Sequence, residues 1–360
     1  MRILITGGSG FIGSSLVRLF IKNEDHTVLN LDKLTYAASS NNLADITANS
    51  RYTFLRGDIC DIKILEKAFV EFQPDQVYHL AAESHVDRSI DSPMTFINTN
   101  IIGSYHLLEA ALNYYNHLPK EKAKNFRFIH VSTDEVFGSL SLKDEAFNQS
   151  TAYNPRSPYS ASKAASDHIT KAWHHTYGLP VIITNCSNNY GPFQFPEKFI
   201  PLMIINCINE KKLPVYGTGN NIRDWLHVND HCKALQIIGE KGSIGQTYLV
   251  GGNSERTNLE IVTNLCQIIN KIMPKSDGKD YNDLIEYVND RPGHDLRYAI
   301  NTSQTTKDTG WEPLINLEKG LCDTVNWYLD HRDWWQHILN LGYDGKRLGL
   351  NRSPNKKAKR

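Results

Sequence analysis

Residues 2–21 restrict the fold more than any other stretch. A short apolar run, Arg2-Ile3-Leu4-Ile5-Thr6, passes at once into Gly7-Gly8-Ser9-Gly10-Phe11-Ile12-Gly13 and then into the helical pattern Ser14 to Ile21. Strand, glycine turn and helix in this order predict the first βαβ unit of an open α/β sheet, with the helix N-terminus facing a dinucleotide pyrophosphate. Gly7 and Gly10 let the backbone turn tightly and approach phosphate without a Cβ in the way, and Gly13 lets helix and strand pack closely.

The alternation continues. Thr27 to Asp32 reads as a second strand ending in an acid. A carboxylate there accepts hydrogen bonds from an adenosine ribose and repels a 2′-phosphate, so NAD is expected rather than NADP. Tyr52 to Arg56 is a third strand, leading to Gly57-Asp58-Ile59, where Asp58 can meet the adenine. Gln76 to Leu80 is a fourth, ending in Ala81-Ala82-Glu83-Ser84, whose small residues admit a cofactor. Helical stretches Ile62 to Phe72 and Phe96 to Tyr115 lie between strands. The predicted class is α/β, a Rossmann-type doubly wound parallel sheet with a smaller mixed α/β substrate-binding lobe.

Phe126 to Val131 is a further buried strand. Ser132-Thr133-Asp134-Glu135-Val136-Phe137-Gly138 then places a hydroxyl and two adjacent carboxylates at its carboxyl end, where open parallel sheets bind ligands. Polar Lys143 to Arg156 reads as a loop over that site. Tyr159 opens a helix running to Tyr177, so Tyr159 and Lys163 share one face at i and i+4. A tyrosine with an unperturbed pKa of ~10 is a poor base, but an ammonium one turn away, together with the positive nicotinamide, favours its phenolate. The pair is expected to take a hydroxyl proton while hydride leaves for NAD, with Lys163 also holding the nicotinamide ribose.

Pro180 to Asn185 is another strand, carrying Cys186 to Pro192 at its end, and beyond Gly191 the alternation breaks down. Residues 1–190 are expected to form the NAD-binding domain, with a segment near 220–250 returning to it, and 191–335 the substrate lobe. That lobe holds Lys198, Arg223, Arg291 and His294, cations suited to a diphosphate. Leu317 to Leu329 reads as a closing helix, and the basic residues 345–360 as a disordered tail.

Composition excludes several classes. Lys plus Arg equals Asp plus Glu at 39 each, so no overall field draws nucleic acid or an anionic membrane. The six cysteines lie far apart, without CxxC or Cys/His zinc spacing, and His79 and His85 have no metal partner spaced with them. Reduced thiols and no metal are expected. No signal-peptide pattern precedes the first strand, and no apolar run nears the ~20 residues of a membrane span, so the expected location is the cytoplasm. Ala161, Ala164 and Ala165 give helix 159–177 a small-residue face, which with helix 96–115 predicts a homodimer interface.

Tyr-x-x-x-Lys after a glycine-rich first turn resembles the extended short-chain dehydrogenase/reductase superfamily. Within it, many segments are similar to the nucleotide-sugar 4,6-dehydratases: Asp32 to Tyr36, Asp58 to Asp61, Leu80 to Ser89, Ser132 to Gly138, Ser157 to His168, Thr184 to Pro192, Pro196 to Lys198, Ile222 to His227 and Asp290 to His294. The resemblance covers residues 1 to about 330. It implies conversion of dTDP-glucose to its 4-keto-6-deoxy product by Thr133, Asp134, Glu135, Tyr159 and Lys163, with NAD tightly bound and regenerated each turnover. Besides the three glycines and the Tyr159-Lys163 pair, it implies NAD contacts at Phe11, Ile12, Asp32, Lys33, Leu34, Thr35, Asp58, Ile59, Leu80, Ala81, Ala82, Ser84, Thr99 and Asn189. It implies sugar-nucleotide contacts at Ser84, Thr133, Asn188, Glu197, Lys198, Arg223, Asn258, Asp290, Arg291 and His294, with Pro214, Val215 and Tyr216 lining the base.

Three other readings stay open: a UDP-sugar 4-epimerase or decarboxylase of the same superfamily, a dehydratase acting on UDP-glucose, and a non-catalytic NAD-sensing protein. The pair Asp134-Glu135 favours dehydration, because elimination of water needs two proton transfers beyond oxidation of an alcohol. Two adjacent acids in separate roles require their pKa values to be pushed apart.

Overall fold

The computed structural model describes residues 1–291 and 293–340; the predicted tail lies outside the described residues. Its strands are β1 (Arg2–Thr6), β2 (Thr27–Asp32), β3 (Tyr52–Arg56), β4 (Gln76–His79), β5 (Arg127–Thr133), β6 (Val181–Cys186), β7 (Asn188–Tyr190), β8 (Leu213–Tyr216), β9 (Ile222–His227), β10 (Thr247–Val250), β11 (Glu255–Thr257) and β12 (Ile285–Val288). Seven of them form one sheet in the order β10-β6-β5-β4-β1-β2-β3, and every neighbouring pair is parallel. Parallel strands covered by helices on both faces read as continuous apolar runs. Ile3 to Ile5 and Val181 to Ile183 are accordingly buried almost completely.

From β1 the chain winds outward through β2 and β3, then returns to lay β4, β5 and β6 on the other side. The order reverses between β1 and β4, and the crevice outside their carboxyl ends is where such sheets bind ligands. The predicted return of Thr247 to Val250 is found as β10 beside β6. Beyond the main sheet, β7 and β9 run parallel, β11 joins β9 antiparallel, and β8 pairs with β12. These pack over a separate core that includes Ile200, Met203, Ile204, Val215, Ile261, Leu265, Leu321 and Val325.

Several elements differ from the sequence reading. β5 runs two residues past Val131, to Thr133. Phe96 to Tyr115 is not one α-helix: π-helical turns over Ile97–Gly103 precede an α-helix over Ser104–Asn116. Asn and β-branched residues are weak helix formers. Here the Asn100 amide bonds outward to Glu83 O (3.0 Å) and Ser162 Oγ (2.8 Å). A Cβ at Gly103 would stand 2.7 Å from Ile59 Cδ1, so glycine admits the close approach. Wide π turns occur often at functional sites. The 143–156 segment is pinned rather than free: Phe147 exchanges backbone hydrogen bonds with Ala299 and Asn301 at 2.9 and 2.8 Å, and its ring stacks on Phe137 at 5.0 Å. After the closing helix Leu317–Asp330 comes a second one, Arg332–Asn340, which the sequence reading missed.

Candidate active site

A single cleft follows the carboxyl ends of the sheet strands. It is lined after β1 by Gly7, Gly10, Phe11, Ile12 and Gly13, after β2 by Asp32, Lys33 and Thr35, and after β3 by Asp58 and Ile59. Leu80, Ala81, Ala82 and Ser84 follow after β4, with Thr99 beside them. Thr133, Asp134 and Glu135 follow after β5, Asn188 and Asn189 after β6, and Tyr159, Lys163 and Lys198 complete it.

The glycines have unlike reasons to be glycine. Gly7 adopts φ +74°, and a Cβ there would lie 2.7 Å from Ala81 N. At Gly13 a Cβ would lie 2.1 Å from Gly7 O, inside contact distance. At Gly10 the nearest protein atom would be 3.4 Å away, so it is a ligand rather than the protein that needs that space. Gly10 also caps the helix Phe11–Lys22 without a side-chain acceptor, leaving first-turn N–H groups to an anion. Such a cradle fits a pyrophosphate. At Gly8, not singled out from sequence, a Cβ would lie 2.3 Å from Asn30 Oδ1.

Asp32 accepts from Ser9 N (2.9 Å) and Leu34 N (2.8 Å), and its burial raises its pKa. Leu34 thus serves Asp32 through its backbone, at φ +57°, and its side chain is not part of the lining. Lys33 reaches Asp58 at 2.6 Å.

Thr133, Asp134, Glu135, Tyr159 and Lys163 hang on the end of β5 and the start of the helix Pro158–Tyr177. Ser157 and Ser160 form a capping box there, and Pro158 sits in the first turn, which fixes where Tyr159 emerges. Asp134 is 1% exposed and Glu135 half-buried. Burial, then the charges of Glu135 and Asp224, drive the Asp134 carboxyl well above its ordinary range. Its Oδ2 has no hydrogen-bond partner among the described residues. Burial also raises Glu135, but Arg291, Arg223 and Lys198 oppose the rise. Adjacent in sequence, the two carboxyls face opposite surroundings.

Burial holds the Tyr159 hydroxyl well above the usual phenol value, Glu135 and Cys186 push the same way, and a hydrogen bond with Thr133 works against them. Lys163 is spent on Val131 O at 2.8 Å, and burial lowers its own pKa.

Among the cations, Lys198 donates to Ser84 O at 2.8 Å. Arg223 is 5% exposed and bonded to the carbonyls of Ile222 (2.7 Å) and Asp295 (3.0 Å). Arg291 and the Tyr216 hydroxyl both reach Asp87 at 3.3 Å, while His294 meets Asp290 at 2.6 Å. His294 is pushed down to about 4 by burial and by Arg291 and Arg223. Lys198 is part of the cleft lining, whereas Arg223, Arg291 and His294 gather beside it. Two expected ligands lie elsewhere. Glu197 is held by Arg88 at 2.8 and 3.0 Å in the wall behind it. Val215 points into the lobe core, because alternation along β8 turns only Pro214 and Tyr216 outward. Asn258 opens the helix Asn258–Ile272, with its N–H on Asn221 O.

Sequence reasoning missed Glu83, Cys186, Ser187, Gln194 and Phe195, all in the lining. The first three directly follow strands or their turns and were within reach of the strand-end rule. Gln194 and Phe195 come from a loop entered at Phe193, whose φ of +66° leaves no local signature. Among the described residues no group of three or more His, Cys, Asp or Glu side chains is placed to hold a metal ion.

Comparison with known proteins agrees with this geometry. The GDP-mannose 4,6 dehydratase family matches residues 4–324. A dTDP-glucose 4,6-dehydratase of Neisseria meningitidis is 52% identical over 97% of this chain and 99% of its own, and one of Haemophilus influenzae is 54% identical over 91% and 98%. The crystal structure of dTDP-glucose 4,6-dehydratase from Bacillus anthracis in complex with NAD superposes with a TM-score of 0.83, at 42% identity over 94% of this chain and 99% of that one. A UDP-glucose 4-epimerase from Thermotoga maritima gives 0.81 at only 27% identity, over 92% and 99%. With the paired acids and the Tyr159-Lys163 set in one cleft, the chain belongs to the dTDP-glucose 4,6-dehydratase family.

Proposed function

We propose that this chain is an NAD-dependent lyase that removes water from dTDP-glucose to give dTDP-4-keto-6-deoxyglucose. The observation that carries the reading is the contrast between Asp134, buried with a bare Oδ2, and Glu135, faced by three cations. NAD, when bound, would supply a hydride acceptor for carbon 4, a hydride donor for carbon 6 and a positive charge that favours the Tyr159 phenolate. Tyr159 takes the 4-hydroxyl proton, with Thr133 bonded to that oxygen. The 4-ketone acidifies carbon 5, whose proton passes to Glu135, and Asp134 protonates the departing 6-hydroxyl. Glu135 then returns its proton to carbon 5 as carbon 6 is reduced. The proton gained by Tyr159 balances the one lost by Asp134, so the sum is loss of one water.

An epimerase needs neither acid, and a non-catalytic protein has no reason to keep the set whole. Incubated with NAD and dTDP-glucose, the protein is expected to give the alkali-induced absorbance of a 4-keto-6-deoxy sugar, and to turn over UDP-glucose less well. A galactose product would overturn the reading.

The proposed division is an NAD lobe over 1–190 with β10, and a sugar-nucleotide lobe over 191–335. The proposed location is the cytoplasm, supported by six unpaired cysteines. No helix among the described residues is long and apolar enough to cross a membrane. We also propose a homodimer through 96–115 and 159–177. Ile97, Ile102, Tyr105 and Tyr177 there are exposed large apolar side chains, which a partner copy would cover. Gel filtration is expected to give the mass of two chains; the mass of one would sink the dimer.

A further inference from the structure

We infer that the helix Arg332–Asn340 positions the carboxylate that receives the cofactor's adenosine ribose, and that Trp334 is the residue through which it acts; the inference rests on the NAD reading above. The indole Nε1–H of Trp334 donates to Asn42 Oδ1 at 2.9 Å. Asn42 is 1% exposed, and its amide nitrogen donates to Ser9 O, also at 2.9 Å. Ser9 is the residue inside the glycine turn whose own N–H holds Asp32 Oδ2 at 2.9 Å. One chain of hydrogen bonds therefore runs from the C-terminal helix through Asn42 and Ser9 to Asp32.

The direction of that chain is set chemically. An Asn amide has a donor end and an acceptor end, and an indole is a donor only. By occupying the oxygen, Trp334 makes Asn42 present its NH₂ to Ser9 O. Without Trp334 the amide can turn over, which sets its oxygen against the Ser9 carbonyl and loosens the peptide that aims Asp32.

The opposite wall of the cleft is held from the same place. The Phe193 ring lies 4.6 Å from that of Trp327 and 5.8 Å from that of Trp334, with the Arg18 guanidinium 4.1 Å from it. The left-handed backbone of Phe193 needs such support, and Gln194 and Phe195 follow it directly into the cleft lining. Arg18 also donates to Asn42 O, joining the two walls. Trp335, the next residue of the helix, differs: it is 1% exposed and donates to Tyr328 O at 2.9 Å, anchoring the helix to the lobe core.

The test compares NAD affinity by calorimetry, NAD release rate and melting temperature in the full-length wild type, Trp334→Phe, Asn42→Ala, the double variant and Trp335→Phe. Loss of one hydrogen bond predicts an NAD Kd raised about 3- to 10-fold in Trp334→Phe, carried mainly by faster release. The effect falls on the KM for NAD more than on kcat. Asn42→Ala should do the same from the other end of the link, and the double variant no more than the larger single effect. Trp334→His, which keeps a ring N–H, should recover part of the affinity. Trp335→Phe should lower the melting temperature and leave the NAD Kd in place. If the wild type binds no NAD, the cofactor reading itself fails. If it binds NAD and both Trp334→Phe and Asn42→Ala bind equally well, or only their melting temperatures move, this inference is overturned.

Discussion

Asp134→Asn and Glu135→Gln are expected to stop dehydration while carbon 4 is still oxidised. Each removes one proton transfer, and a positioned acid or base is worth roughly 10²- to 10⁴-fold. Turnover should fall by that factor, while NADH accumulates and shows in its absorbance. The two variants should differ in pH behaviour. The proposed mechanism requires Asp134 protonated and Glu135 ionised, so the expected profile is a bell. Its acid limb is lost as pH falls through the Glu135 value and its basic limb as pH rises through the raised Asp134 value. Glu135 is the largest charge raising Asp134, so in Glu135→Gln the Asp134 carboxyl should titrate lower. The same shift bears on stability. A carboxyl with its folded pKa raised binds more protons folded than unfolded, so its contribution is present below the unfolded value and is lost as pH rises. Asp134→Asn should therefore unfold at higher denaturant than the wild type at neutral pH, although its turnover is lower. Full turnover in both variants would show the role assignment to be wrong.

Asp167→Ala should be the most damaging single change outside the cleft, costing about 3–5 kcal/mol in denaturant unfolding. Asp167 is fully buried one helical turn beyond Lys163. Its carboxylate accepts from Ser132 Oγ and the Tyr153 hydroxyl at 2.9 Å, and from Asn185 Nδ2 and His130 Nε2 at 3.1 Å. Truncation removes the shared acceptor of four donors drawn from β5, β6 and the 143–156 segment, leaving Asn185 Nδ2 only Thr133 O and His130 Nε2 only Ser166 Oγ, and removes an anion that raises the Lys163 pKa. Burial works against the charge on Asp167, but its bond with His130, the Lys163 charge and the Ser132 hydroxyl outweigh it, so its pKa is lowered. A lowered carboxyl stabilises above its unfolded pKa, and that contribution is lost as pH falls through the folded value. The wild type should therefore weaken through the acid range by an amount the variant does not show. A loss below about 1 kcal/mol would mean that the surroundings relax to meet the stranded groups.

Much of the site could be read in one dimension because parallel sheets put ligands at strand ends. Once β1, β2, β4 and β5 were recognised as strands, Gly7, Asp32, Ala81 and Thr133 followed from position alone. Capping chemistry at Ser157-Pro158 likewise made Tyr159 and Lys163 neighbours on one helix face. What failed was of another kind. Val215 looked like base lining until the pleat of β8 turned it into the lobe core, and Glu197 like a ligand until Arg88 was found holding it. The wide turns at Thr99 depend on Asn100 finding Glu83 and Ser162, partners that no local propensity announces.

The sheet, the glycine turn and the order of Thr133, Asp134, Glu135, Tyr159 and Lys163 along the chain could be read from residues alone, because they rest on periodicity, glycine sterics and short spacings. How Asp134 and Glu135 come to differ was left to tertiary structure: Arg223 lowers both, while Arg291 and Lys198 lower Glu135, and the charges of Glu135 and Asp224 raise Asp134. Tertiary structure likewise decided that Trp334 reaches Asn42, whose amide in turn holds Ser9 O. Charge, burial and hydrogen bonding act through space, and residues far apart in the chain acquire them only when it folds.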